Sequence, residues 1–309
     1  MLSPDFFSIL VSSVLGIVLA IPSYTCIVMG NLDIIRKKGK LSPTDVIFLA
    51  KGIVNIPLQC LLSLQGMLFA LSPADFIIYE VHSFINVSCY FLMYFSFWLT
   101  FWLSAHYCTT ITNLSYGFFI WLKRFVSHFL SQRLFLTALV MFFVSVLTIQ
   151  AFIVETHIQS SKNNTESIIT SASYYVRFSY FLPATMLGVI LPFCLSLPCL
   201  VLTFSFLIRH IWRVKNNDSG STRPNLQAHV TALRTIFFLL LMFTSFIMSQ
   251  VIICIRKNIE TTDLLVLVSW NLRLLSPSVE AAVIFQASKK LRRIILRRFW
   301  TRSRRNTET

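Results

Sequence analysis

Residues 180–208 read YFLPATMLGVILPFCLSLPCLVLTFSFLI, a run of 29 residues without one charged side chain. A helix needs roughly 20 apolar residues to cross the hydrocarbon core of a bilayer, so this run is long enough to span it. The chain holds seven stretches of this kind, near 6–30, 45–70, 81–108, 134–154, 180–208, 232–255 and 264–287. Long runs without alternating polarity disfavour a β-barrel. Because helices satisfy their own backbone polar groups in lipid, we expect an all-α bundle of seven transmembrane helices.

The basic residues lie almost all in alternate gaps between these stretches. The gaps at 31–44, 109–133 and 209–234, together with the tail from residue 288, hold 21 of the 27 Lys and Arg. The positive-inside rule therefore predicts an extracellular amino terminus and a cytoplasmic carboxyl terminus. The net charge of +15 could suggest nucleic acid, but basic residues beside span ends favour anionic membrane lipid. We expect no nucleic-acid partner.

The charge pattern also divides the chain into a membrane domain over 1–287 and a basic tail over 288–309. In the tail, the segment KKLRRIILRRFW at 289–300 has apolar residues at helical spacing with basic residues between them. This pattern is typical of a short amphipathic helix that lies along the cytoplasmic face of a membrane.

Several classes of chemistry are disfavoured. The seven cysteines all lie in predicted spans, and no CxxC pair or His-Cys cluster suggests a metal or cofactor. No nucleophile-base pair or phosphate-binding loop indicates an enzyme. The sequon Asn163-Asn164-Thr165 lies in the longest outside gap, so we expect Asn163 to be glycosylated.

Specific motifs lie at the inner ends of the stretches. The third stretch leads through LSAHY (103–107) into ITNLS (111–115) and FIWLK (119–123). The sixth opens with HVTALRT (229–235), and the seventh holds LSPS (275–278). In this order and over the whole chain, they resemble the type 2 (bitter) taste receptors, a family of G-protein-coupled receptors. The resemblance implies a receptor in the plasma membrane.

The family resemblance also implies two sites. An outward-opening cavity for a small-molecule agonist would be lined by Gln65, Cys89, Tyr90, Met93, Tyr94, Phe181, Thr185, Phe246, Gln250, Leu265 and Ser269. Few of these residues are charged, which favours uncharged or amphipathic bitter compounds. An inner crevice for a heterotrimeric, gustducin-like or Gi-like G protein would be lined by Ser104, Tyr107, His210, His229 and Arg234.

The chain departs from the family pattern at several buried positions. Asn55 stands where the family often has Arg, Glu280 where it has His, and Met93-Tyr94 where it has Asn-His. These departures indicate a divergent member. Two alternatives are a type 1 vomeronasal-like pheromone receptor, against which the FIWLK and HVTALRT motifs argue, and a small multi-pass transporter. A transporter would predict an internal repeat, which the sequence lacks.

Ionisable residues inside a span are costly and are often functional. Lys51 and Glu280 each come out about 10 Å from the inner ends of their stretches by helical rise. Two arrangements are open: an ion pair near the cytoplasmic face, or Lys51 extended to the lipid headgroups with Glu280 in contact with cytoplasmic water. Arg273 lies at mid-depth, as do Asn55 and Ser96, so we expect Arg273 to donate hydrogen bonds to both. The five residues would form one polar network.

Overall fold

The structure is a computed structural model that describes residues 4–71, 79–111, 130–149, 152–159, 169–176, 178–216, 223–255 and 263–287. Its helices are α1 (Pro4–Lys38), α2 (Pro43–Leu71), α3 (Tyr79–Ile111), α4 (Leu130–Ile149), α5 (Phe178–Thr185), α6 (Leu191–Asn216), α7 (Arg223–Ile255) and α8 (Asp263–Ala287). A π-helical turn, Met186–Ile190, joins α5 to α6 without a break. Every predicted apolar stretch therefore contains a helix. The basic tail lies outside the described residues.

Five helical segments of the described chain are long and apolar enough to cross a bilayer. They are Phe7–Lys37, Pro43–Leu68, Ser83–Ile111, Leu130–Thr148 and Leu182–Arg209. The apolar part of α7, Phe237–Ser249, is shorter. The chain is thus a multi-pass helical membrane protein, as predicted. The membrane crossing of α7 and α8 stays a prediction, and so does the orientation.

The surface and the interior have the polarity expected in lipid. On α4, Phe135 is 72% exposed and Phe143 is 60% exposed, whereas Lys51 and Asn55 of α2 are fully buried. A soluble domain would place such residues the other way round. An apolar exterior is instead stable against lipid tails, and the interior polar groups find partners in one another.

The helices pack as a ring that closes through α3. Helix α1 contacts α2 and α8, α8 contacts α7, and α7 contacts α6. Helix α3 contacts α2, α4, α6 and α7, so it forms the centre of the bundle. Side chains of α3 consequently reach both halves of the ring.

A β-hairpin follows α4 in the otherwise helical part of the chain that the structure describes. Strands β1 (Phe152–Gln159) and β2 (Ile169–Val176) pair antiparallel, with Phe152 opposite Val176 and Gln159 opposite Ile169. Both strands contain β-branched and aromatic residues, which favour extended structure, and pairing satisfies the backbone groups of both. Residues 152–154, predicted as the end of the fourth span, belong to β1 because α4 ends at Ile149. Asn163 lies outside the described residues.

The π-helical turn has a local cause in the sequence. Pro192 has no N–H to donate to a carbonyl one turn earlier, so the helical hydrogen-bond pattern is interrupted there. The indole Nε1 of Trp98 on α3 donates to the carbonyl oxygen of Leu187 at 3.2 Å. Gly188 lets Tyr94 pack closely, because a Cβ at residue 188 would lie 2.5 Å from the Tyr94 ring. The turn therefore fixes this segment against α3.

Candidate functional site

A buried network of polar side chains connects four helices, and we call it the inner network: Tyr24, Lys51, Asn55, Ser96 and Glu280. The ammonium of Lys51 forms a salt bridge with Oε1 of Glu280 and lies 3.4 Å from Oγ of Ser96. Nδ2 of Asn55 donates to Oε2 of Glu280 at 3.0 Å and to the Tyr24 hydroxyl at 2.8 Å. Tyr24 in turn donates to Oε2 of Glu280 at 3.4 Å. The predicted contact between Lys51 and Glu280 is thus present, and it ties α1, α2, α3 and α8 together.

The carboxylate of Glu280 is the centre of the inner network. It accepts hydrogen bonds on both oxygens, which is the arrangement that a buried ion pair needs to offset the loss of water. Lys51 is fully buried. Its charge is therefore compensated by the Glu280 carboxylate, with the Ser96 hydroxyl as a further partner, and removing the carboxylate would leave the ammonium without a counter-charge.

The prediction that Arg273 donates to Asn55 and Ser96 is wrong. Nη2 of Arg273 donates instead to Oε1 of Gln65 at 3.0 Å, and Nε2 of Gln65 donates to Oδ1 of Asn86 at 2.6 Å. Asn55 is already bonded to Glu280. Arg273 precedes Glu280 by seven residues, about 10 Å of helical rise, and its partner Gln65 follows Asn55 by ten residues on α2. Arg273 therefore belongs to a separate layer.

Aromatic rings complete this second layer, which we call the arginine layer: Gln65, Asn86, Phe246, Trp270 and Arg273. The guanidinium carbon lies 5.4 Å from the centroid of Trp270 and 5.8 Å from that of Phe246. Both distances are in the range of cation–π attraction. Arg273 is only 5% exposed, and its Nε has no hydrogen-bond partner among the described residues.

A small cavity lies beside the inner network. Its walls include Ser96, Glu280, Met93 and Phe246, and its volume is about 30 Å³, enough for about one or two water molecules. Phe246 takes part both in this cavity and in the arginine layer. A rearrangement of Phe246 would therefore affect both the cavity and the arginine layer.

Next to the cavity, aromatic side chains of α3, α6 and α7 pack on one another. The rings of Phe97 and Phe243 stack with centroids 3.9 Å apart. Phe246 contacts Phe97 edge-on at 5.5 Å, and Phe193 contacts Phe243 edge-on at 5.5 Å. This cluster couples the position of α7 to α3 and α6 through direct ring contacts.

The structure places the predicted ligand-cavity residues in different surroundings. Cys89, Met93, Tyr94 and Phe246 are buried in the core, whereas Tyr90 is partly buried and packs against it. Other members are closer to helix ends. Thr185 lies at the end of α5, and its buried hydroxyl has no hydrogen-bond partner among the described residues. Leu265 is exposed, and Ser269 donates to the Leu265 carbonyl at 2.7 Å. The side chains of Phe181 and Gln250 lie outside the described part.

The predicted G-protein contacts are only partly accessible in this conformation. Ser104 is buried and donates to the carbonyl of Thr100 at 2.9 Å. Tyr107 is half-buried, and Arg234 is exposed, with its guanidinium carbon 5.5 Å from the ring centroid of Phe238. The side chains of His210 and His229 are not among those described.

Sequence reasoning missed three partners in these layers. Tyr24 gave only a weak signal, a phenol within an apolar stretch. Asn86 gave a signal that could have been used, because an amide within a membrane span needs a hydrogen-bond partner. Trp270 had no distinguishing signal, because an aromatic residue in a membrane helix most often serves packing.

Comparison with known proteins identifies the family. Residues 1–303 match the family described as "Taste receptor protein (TAS2R)". Taste receptor type 2 member 7 of Pan troglodytes is 24% identical over 296 residues, which cover 91% of both chains. The member 7 protein of Macaca mulatta is 25% identical over 295 residues, or 92% of both chains. Taste receptor type 2 member 9 of Homo sapiens is 25% identical over 261 residues, covering 84% of this chain and 83% of that protein.

The apolar exterior and the buried polar layers thus define a multi-pass helical membrane protein with a polar interior. The chain belongs to the taste receptor type 2 family, the bitter taste receptors. This is a family of receptors and not of enzymes. Membership indicates small-molecule tastants and G proteins as the general partners.

Proposed function

We propose that this chain is a chemosensory G-protein-coupled receptor that binds small bitter-type molecules in an outward-facing cavity and activates a heterotrimeric G protein. The observation that carries the proposal is the family match over residues 1–303. The central position of α3 supports it, because α3 contacts α2, α6 and α7 and joins the outer part of the bundle to the inner part. The G protein is gustducin-like or Gi-like by resemblance, and the plasma membrane is the site of action.

The proposal includes a topology. Helices α7 and α8 are the sixth and seventh spans, and the amino terminus is extracellular, as the distribution of basic residues predicts. The domain boundary lies at residue 287, and the tail at 288–309 forms an amphipathic helix on anionic lipid. Asn163, in the outside loop, carries a glycan in this topology.

Activation is a shift between two conformations of the bundle. An agonist that binds the active conformation more tightly than the inactive one moves the population toward the active one. Phe246 on α7 is the residue through which the cavity would act, since it contacts Arg273 on one side and Phe97 on the other. Movement of α7 would then open a crevice that involves Ser104, Tyr107, His210, His229 and Arg234. Ser104, buried in this conformation, becomes accessible only in the open one.

Calcium release in cells that express the chain with a promiscuous G-protein α subunit tests the proposal. A panel of bitter compounds should evoke release only in cells that carry both proteins. A dose-dependent response that disappears without the α subunit supports a receptor. Surface-expressed protein that gives no release with any compound, together with compound uptake or ionic current that does not need the α subunit, would favour the transporter alternative.

A further inference from the structure

Two cations are buried among the described residues, and they are compensated in different ways. Lys51 faces the carboxylate of Glu280. Arg273 forms no ion pair with a described residue, and its one hydrogen bond goes to the neutral amide of Gln65. An uncompensated charge at this depth is costly and is found mostly where a protein binds a ligand or an ion. Burial to 5% exposure rules out ordinary solvation by bulk water.

The unbonded atom of Arg273 is a directional donor. Nε has no partner among the described residues, although a buried N–H that lacks an acceptor destabilises the fold. The aromatic rings of Trp270 and Phe246 lie against the guanidinium, so they hold the group without using its N–H donors. An acceptor group placed beside Nε can therefore bond to it without displacing Gln65.

The neighbours of Arg273 belong to the predicted ligand cavity. Gln65 and Phe246 contact the guanidinium directly, and the family resemblance implies both as residues of the cavity. Cys89 of α3, another assigned residue, lies within electrostatic range. Arg273 thus lies beside residues that line the ligand cavity in the proposed function.

We propose that Arg273 is a ligand-binding residue that accepts an anionic group, a carboxylate or sulfonate, of a small organic agonist. This inference rests on the proposed function and narrows its ligand class, since the sequence alone favoured uncharged compounds. A planar guanidinium binds a carboxylate through paired N–H donors. Trp270 and Phe246 provide apolar surface for the remainder of the agonist.

The test measures the thermal stability of the full-length receptor, purified in lipid nanodiscs. Two probes of matched shape are added at constant ionic strength. Benzoate and benzamide have nearly the same shape and differ in charge. Benzoate should reach half-maximal stabilisation at about a tenfold lower concentration, as a charge-assisted hydrogen bond predicts. Arg273→Gln should reduce this ratio to below about twofold, and Arg273→Lys should give an intermediate ratio because lysine keeps the charge and lacks the planar donor pair.

The matched control is Arg209→Gln, the same substitution at an exposed arginine of α6. It should keep the ratio of the unsubstituted protein. Equal potency of benzoate and benzamide, an unchanged ratio in Arg273→Gln, or no stabilisation by either probe would each overturn the assignment. Acetate as effective as benzoate would also overturn it, since a site for bare anions does not require an organic agonist.

The calcium assay separates this inference from the proposed function. Release evoked by neutral bitter compounds, with no charge preference in the stabilisation assay, would retain the receptor function and reject the anionic ligand. Arg273-dependent benzoate binding in a protein that never evokes calcium release would retain the anionic ligand and reject the receptor function.

Discussion

The inner network and the arginine layer each contain one buried cation, but the two cations have different kinds of partner. Lys51 has a carboxylate partner supported by Asn55 and Tyr24. Arg273 has an amide, two aromatic rings and an open N–H. An ion pair between two helices favours one conformation of the bundle, whereas a donor without a described partner can bond to a ligand. The comparison assigns a structural role to the first layer and a binding role to the second.

Breaking the inner network should give the largest effect. Glu280→Gln leaves the charge of Lys51 buried without a carboxylate, which typically costs about 3–5 kcal/mol. We expect a large decrease in the free energy of unfolding of the purified receptor and a corresponding loss of surface expression. The double substitution Lys51→Met with Glu280→Leu removes both charges and should recover most of the stability, because an apolar pair of similar volume avoids the desolvation cost. A Glu280→Gln protein as stable as the unsubstituted one would contradict the structural role.

Exchanging the charges of Lys51 and Glu280 tests whether their contact itself stabilises the fold. Lys51→Glu alone places two carboxylates side by side, and Glu280→Lys alone places two ammonium groups together. The double exchange restores opposite charges and should rescue part of the loss seen in either single substitution, as measured by surface expression. The absence of any rescue would mean that the contact of Lys51 with Glu280 does not stabilise the fold.

Removing the second cation should cost less. Arg273→Leu leaves the Gln65 carbonyl without a donor, a loss of about 1–2 kcal/mol, but it also eliminates a charge that has no carboxylate partner. We expect surface expression near that of the unsubstituted protein and a weakened response to agonists in the calcium assay. Unchanged expression together with unchanged signalling would exclude a central role for Arg273.

The smallest effect is expected at the edge of the inner network. Tyr24→Phe removes the hydroxyl that joins Asn55 to Glu280 and should reduce the free energy of unfolding by about 1 kcal/mol. Ser23→Ala is a suitable control, because the Ser23 hydroxyl is exposed and bonds only to the carbonyl of Leu19. A Tyr24→Phe protein no less stable than Ser23→Ala would show that α1 does not support the carboxylate.

The helices and the contact of Lys51 with Glu280 could be predicted because they depend on the order and spacing of residues along the chain. Apolar length predicts a helix, and helical rise gives the depth of a residue, which sufficed to place Lys51 level with Glu280. Depth does not tell which neighbour a side chain reaches. Arg273 was therefore assigned to Asn55 and Ser96 when its partner is Gln65.

Two irregular segments escaped prediction for a related reason. The hairpin of β1 and β2 depends on pairing between segments that are separate in the chain. The π-helical turn depends on Trp98 and Tyr94 of another helix as well as on Pro192. Patterns within a single stretch do not contain such contacts.

A pair of double-mutant cycles on the purified receptor tests most directly that Glu280 is compensated by Lys51 and not by Arg273. One cycle combines Lys51→Met with Glu280→Leu, and the other combines Arg273→Leu with Glu280→Leu, with the free energy of unfolding as the measured quantity. The account predicts a coupling energy of at least about 2 kcal/mol for Lys51 with Glu280. It predicts a coupling within about 0.5 kcal/mol of zero for Arg273 with Glu280, since the two belong to different layers. Equal couplings, or a larger one for Arg273, would contradict the division of this receptor's interior into the inner network, which contains an ion pair, and the arginine layer, in which no ion pair is described.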